Sequence, residues 1–96
     1  MSMEKRLNFG DLVESKVGRD AGKVFLVIKT DGKYAYIVNG KDREIRKPKK
    51  KNIKHLKLIL IAGLNELAIK INDGIPVANE RVYKAINSAK QKIQED

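Results

Sequence analysis

Apolar and polar positions alternate in one rhythm up to about residue 60 and in another beyond it. "LVESKV" puts Val13, Ser15 and Val17 on one side and Glu14 and Lys16 on the other, a period near two that predicts a strand. "KVFLVIK" is apolar at every position from Val24 to Ile28, which predicts a strand buried on both faces. "KYAYIVN" is rich in aromatic and β-branched residues and predicts a third. Asp31-Gly32 and Asn39-Gly40 close these runs, and both pairs are favoured centres of two-residue hairpin turns because they tolerate φ > 0. "REIRK" reads as a fourth strand, ended or pushed to an edge by Pro48, and "IKHLKLIL" as a fifth. Short, closely spaced strands of this kind predict a small, strongly bent antiparallel barrel. Phe9 and Phe25 are assigned to its core.

After Leu60 the period lengthens. Leu60, Leu64, Leu67 and Ile71 recur at helical spacing up to Gly74, and Val82, Ile86, Ala89 and Ile93 repeat the stripe. Asn79 stands where a helix N-cap is needed, with Glu80 beside it for the helix dipole. The expected organisation is therefore a mainly β unit over residues 1–60 and two short helices over 61–96 packed on it, making one domain.

Charge follows the same division. Residues 1–57 hold 16 Lys/Arg against 7 Asp/Glu, whereas residues 58–96 hold 5 of each. Within the basic part, "KDREIRKPKKKNIKHLK" carries nine bases and two acids over residues 41–57. A segregated excess of this kind predicts a positive face that attracts polyanions, nucleic acid above all. The chain has no cysteine, which excludes disulfides and thiolate zinc sites and agrees with a reducing compartment. "MSMEKRLNFG" has no apolar segment of the kind a signal peptide needs, and "LKLILIAGLNELAIKI" is too short and too polar to span a bilayer. A cytoplasmic protein without membrane contact is expected.

Gly18 and Gly22 bracket "RDA" between the first two strands, and glycine there permits a left-handed turn that lets backbone approach a ligand closely. The loop is too short for a nucleotide cradle and lacks its Lys-Ser/Thr ending. The stretch "GDLVESKVGRDAGKVFLVI" resembles a KOW motif, matching it at Gly10, Asp11, Val13, Gly18, Arg19, Asp20, Gly22, Lys23 and Val24. "PKKKNIKHLKL" is similar to the basic Asn-Ile-x-His-Leu segment of KOW-type large-subunit ribosomal proteins of archaea and eukaryotes and of their small bacterial relatives. "ELAIKINDGIPVANERVYKAI" resembles the helical tail of the bacterial members more weakly. The resemblance covers roughly residues 8–60. It implies an SH3-like five-stranded barrel (a KOW domain) that binds RNA, commonly ribosomal RNA and beside ribosomal proteins, in translation.

The expected RNA-binding residues are Arg19 and Lys23 in the first loop and Arg43, Arg46, Lys47, Lys49, Lys50, Lys51 and Lys54 in the basic segment, with Gly18 and Gly22 shaping the loop. Lys16 could join that face. Lysine offers a mobile point charge, while arginine adds a planar fork that grips phosphate or stacks on a base. Tyr34 and Tyr36 share one strand face and could stack bases, though core or rim packing is the ordinary role. His55, the single histidine, lacks the company a metal site needs, and hydrogen bonding at the start of the last strand suits it better than RNA contact. Asp20 is expected to cap its own loop through backbone N–H groups. No metal, cofactor or small-molecule substrate is expected, and no enzyme: the acids are spread along the chain and neither Ser15 nor Ser88 has a histidine near in sequence. Two other readings stay open on the residues alone, a transcription-linked KOW module docking on RNA polymerase or nascent RNA, and a protein-interaction adaptor.

Overall fold

The computed structural model describes residues 7–61 and 63–94. It is a mainly β domain of five antiparallel strands in one sheet, followed by two helices. The strands are β1 (Leu12–Ser15), β2 (Val24–Asp31), β3 (Tyr34–Val38), β4 (Lys49–Asn52) and β5 (Leu56–Leu60), and the helices are α1 (Asn65–Asn72) and α2 (Asn79–Gln94). The spatial order is β4-β3-β2-β1-β5, so β4 and β5 are the two edges. A single 3-10 turn, Ile53–His55, joins these edges; no ladder pairs them among the described residues.

Both faces of the sheet are covered, which explains the unbroken apolar run of β2. Phe25 and Val27 point to one side and meet Val13, Ala35, Ile37, Ile53 and Leu56. Leu26 and Ile28 point to the other and meet Leu12, Val38 and the helical residues Leu67, Ala68, Val82, Ile86 and Ala89. The first cluster covers one face of the sheet, and the second fastens the helices to the other, its back. A bulge between Val27 and Lys29 interrupts the β2–β3 register. The residue in that gap, Ile28, has its carbonyl satisfied from outside the sheet, by the Asn72 side-chain amide at the end of α1 (2.7 Å).

Several expectations need correction. Residues 43–47 are not a strand; β4 begins after Pro48. In that segment the Ile45 N–H donates to Asn79 Oδ1 (2.8 Å) and the Lys47 N–H turns back to the Glu44 carbonyl (2.9 Å), so neither feeds a ladder. Asn79 thus spends its side chain on Ile45, and the Ala78 carbonyl accepts the first helical bond, from Arg81. "IKH" forms the 3-10 turn and only "LKLIL" is strand. Leu60 belongs to β5, and α1 starts at Asn65. The β2–β3 turn centres on Gly32-Lys33, one residue later than Asp31-Gly32, since Asp31 pairs with Tyr34. Phe9 is 43% exposed, and Val17 and Ile93 are exposed to a similar degree.

Ile86 is buried among both helices and the sheet, far in sequence from the basic segment. Ile86→Val is expected to lower stability by about 0.5–1.5 kcal/mol in a denaturant titration, the cost of one buried methyl group.

Candidate nucleic-acid interface

The β1–β2 loop is built by its backbone. The Ser15 N–H donates to the Lys23 carbonyl (3.0 Å), the Gly22 N–H to the Ser15 carbonyl (2.8 Å) and the Lys23 N–H to the Asp20 carbonyl (2.9 Å). Gly18 (φ 82°) and Gly22 (φ 89°) both take the left-handed conformation this folding-back requires. The result turns Arg19 outward and Asp20 inward, leaving Asp20 6% exposed.

Asp20 does not cap its loop with its carboxylate. Its Oδ2 accepts from Lys49 Nζ at 2.6 Å and lies 3.9 Å from Lys51 Nζ. The loop and the basic segment, distant in sequence, therefore meet at one carboxylate. The Lys49 hydrogen bond holds the Asp20 carboxyl below its ordinary pKa, against the opposing effect of burial, and the charges of Lys49, Lys51 and Arg43 add to it. A second tie runs from Lys23 to Asp42 (3.1 Å), a surface pair of small energetic worth. Asp42 is held low chiefly by the Asn39 amide and then by Lys23. Its turn is not a two-residue hairpin: Asn39 Oδ1 accepts from the N–H groups of Lys41, Asp42 and Arg43 (3.1, 2.9 and 2.9 Å). That arrangement fixes the turn and sets Arg43 within electrostatic reach of Asp20.

Lys51 is a correction to the expected contact set. It is 8% exposed, and its ammonium donates to Ser15 Oγ (2.5 Å) and the Val17 carbonyl (2.9 Å). It bridges edge strand β4 to the end of β1, which is a structural role. Burial is the main force pushing its pKa down, helped by Lys49 and Arg43 and opposed by Asp20.

The pleat of β4 divides the remaining lysines. Lys49 and Lys51 point toward Asp20, whereas Lys50 points to the other face, 4.5 Å from the centre of the Tyr34 ring. Lys54 is exposed on the 3-10 turn beside Lys33, whose carbonyl accepts from the Ile53 N–H (2.8 Å). Arg46 and Lys47 are exposed on the turn before β4, and Lys16 is exposed after β1. His55 uses its carbonyl to accept from the Lys16 N–H (2.9 Å). The structure thus brings Lys23, Arg43, Lys49 and Lys51 together around Asp20 and Asp42, with Arg19 at the rim, and separates Lys50 and Lys54 from them.

Sequence reasoning missed Lys29 and Lys33, which stand over tyrosine rings, and Asn39 and Asp42, which shape the Arg43 turn. Period-two alternation around Tyr34 and Tyr36 was the signal for the first pair. The Asn-Gly-x-Asp spacing was the signal for the second. A groove of about 740 Å³ lies elsewhere, between α1 and α2, with Glu66, Glu80, Lys70, Arg81 and Lys84 mixing both charge signs around it. No helix among the described residues is long and apolar enough to cross a membrane. No family model and no curated protein matches the chain.

Proposed function

We propose that this protein binds structured RNA, chiefly through phosphates, as a KOW-type module whose bent sheet acts as an SH3-like barrel. The observation that carries this reading is the meeting of the Gly18–Lys23 loop with Arg43 and Lys49 around Asp20. A loop with two left-handed glycines, presenting Arg19 outward next to those cations, suits the close approach of a polyanion backbone. The cytoplasmic, ribosome-associated setting rests on the resemblance of "PKKKNIKHLKL" to ribosomal KOW proteins. The helices serve as the back wall of the domain.

Binding of a fluorescent RNA hairpin should weaken steeply with salt. If about five phosphates are neutralised, log K should fall against log salt with a slope of roughly −3.5 to −4.5. Anisotropy titrations read that slope directly, and a slope near zero would overturn the proposal. Sedimentation with ribosomal subunits, against copurification with RNA polymerase or with one protein partner, decides the cellular setting.

A further inference from the structure

The back of the sheet carries a second feature that the loop cluster does not absorb. Lys29 on β2 pairs in register with Tyr36 on β3, and Tyr36 pairs with Lys50 on β4. Three strands therefore present a row Lys–Tyr–Lys. Tyr34 stands on the same face, two residues from Tyr36 and so roughly 6.6 Å further along β3. Lys50 and Lys33 approach the Tyr34 ring at 4.5 and 5.7 Å, and Lys29 approaches the Tyr36 ring at 5.6 Å. Three cation–ring contacts thus lie on one small face, where such contacts arise about once per 70–80 residues. Tyr36 is anchored against the helix-side core, and both tyrosines remain partly exposed.

From this geometry we infer that the Tyr34–Tyr36 strip with Lys29, Lys33 and Lys50 binds unpaired nucleotides of a single-stranded RNA segment. The inference rests on the RNA-binding reading and adds to it a base-stacking subsite. A base has a flat π face to lay on a tyrosine ring, and each nucleotide brings the phosphate that the displaced ammonium then takes. An acidic peptide would satisfy the lysines and leave the rings unused. β4 is an edge strand, with Lys49 on one side and Lys50 on the other. An RNA held at the Asp20 cluster can therefore pass its unpaired strand over that edge to reach Tyr34.

The test compares a ten-nucleotide oligouridine with a blunt RNA duplex of equal charge. Tyr34→Ala should weaken oligouridine binding about 5- to 100-fold and leave duplex binding nearly unchanged. Its salt slope should not move, whereas Lys50→Ala should reduce the oligouridine slope by about one. Tyr34→Phe should bind oligouridine like the original. A second readout needs no destabilising change: the chain has three tyrosines and no tryptophan. In the variant Tyr36→Phe/Tyr83→Phe, Tyr34 is the sole emitter, and saturating oligouridine should quench it while poly-glutamate does not. Unquenched emission at saturation, equal quenching by poly-glutamate, or equal loss of duplex and oligouridine binding in Tyr34→Ala would overturn the strip alone. If the unaltered protein binds neither RNA at low salt, the RNA-binding reading fails and the strip falls with it.

Discussion

Asp20→Asn is expected to destabilise the protein by about 3 kcal/mol while leaving RNA binding by the folded fraction undiminished. Removing one partner of a buried charge pair typically costs about 3–5 kcal/mol, because the other charge is left without compensation. Here Lys51 is 8% exposed, so its ammonium loses its nearest carboxylate and cannot turn to solvent. Lys49 is 29% exposed and recovers part of its hydration, which places the cost at the low end. For a domain of this size that corresponds to a fall in melting temperature of roughly 10–25 °C. The same change deletes a negative charge beside Arg43 and Lys49, so phosphate attraction should hold or rise. The acid limb supplies a second check. The folded-state pKa of Asp20 lies below its ordinary value of 3.8. Its contribution is therefore fully present above the unfolded pKa and is lost as pH falls through the folded one. The original protein should lose stability below about pH 4 more steeply than Asp20→Asn, which has no carboxyl to protonate there. Equal melting temperatures at pH 7, or parallel acid limbs, would remove Asp20 from the centre of the cluster.

What could be read from sequence was whatever local pattern decides. β2 and β3 were legible because of their dense apolar, aromatic and β-branched positions, and Phe25, Leu26, Ile37 and Val38 are all fully buried. α2 was legible through Val82, Ile86 and Ala89, all buried at helical spacing. β4 was not legible, since "KKKN" contains no apolar residue. It is a strand because Tyr34, Ala35, Tyr36 and Ile37 pair with it and because the Lys51 ammonium finds Ser15 and Val17. That is tertiary context overriding strand propensity. The loop glycines could be read as turn formers, and the basic segment as a positive surface. Which lysine reaches solvent could not be read, because it depends on the pleat of β4 and on where Asp20 lies across the sheet. A run of three lysines looks uniform in one dimension. In the fold one is paired with a carboxylate, one lies over an aromatic ring and one is buried.

Gly40→Ala should be among the most damaging single-methyl changes in the chain, for reasons that separate it from Gly22→Ala. Both glycines sit in the left-handed region, at φ 79° and 89°, where an alanine costs about 1–2 kcal/mol. At Gly22 nothing lies within 4 Å of the added carbon, so that conformational cost is the whole effect. At Gly40 the methyl would fall on the Asn79 carbonyl oxygen, inside any van der Waals contact, and 2.9 Å from the Tyr83 nitrogen. These are backbone atoms of the first turns of α2 and cannot rotate aside, so the helix or the turn must move, adding about 1–3 kcal/mol of overpacking. Together the cost is about 2–5 kcal/mol, a fall in melting temperature of roughly 8–40 °C. The displacement also reaches the basic cluster. Asn79 holds the Ile45 N–H, and the Asn39–Arg43 turn that contains Gly40 positions both Arg43 and the Asp42 partner of Lys23. On the proposed reading, Gly40→Ala should therefore weaken RNA binding in the fraction that still folds, although no charge is lost. Thermal melts of the two alanine variants side by side, followed by anisotropy titrations below both midpoints, measure each half of the claim. Equal melting temperatures would show that α2 does not pack against the turn as closely as the structure has it. An unchanged RNA affinity in Gly40→Ala would separate the Arg43 turn from the interface.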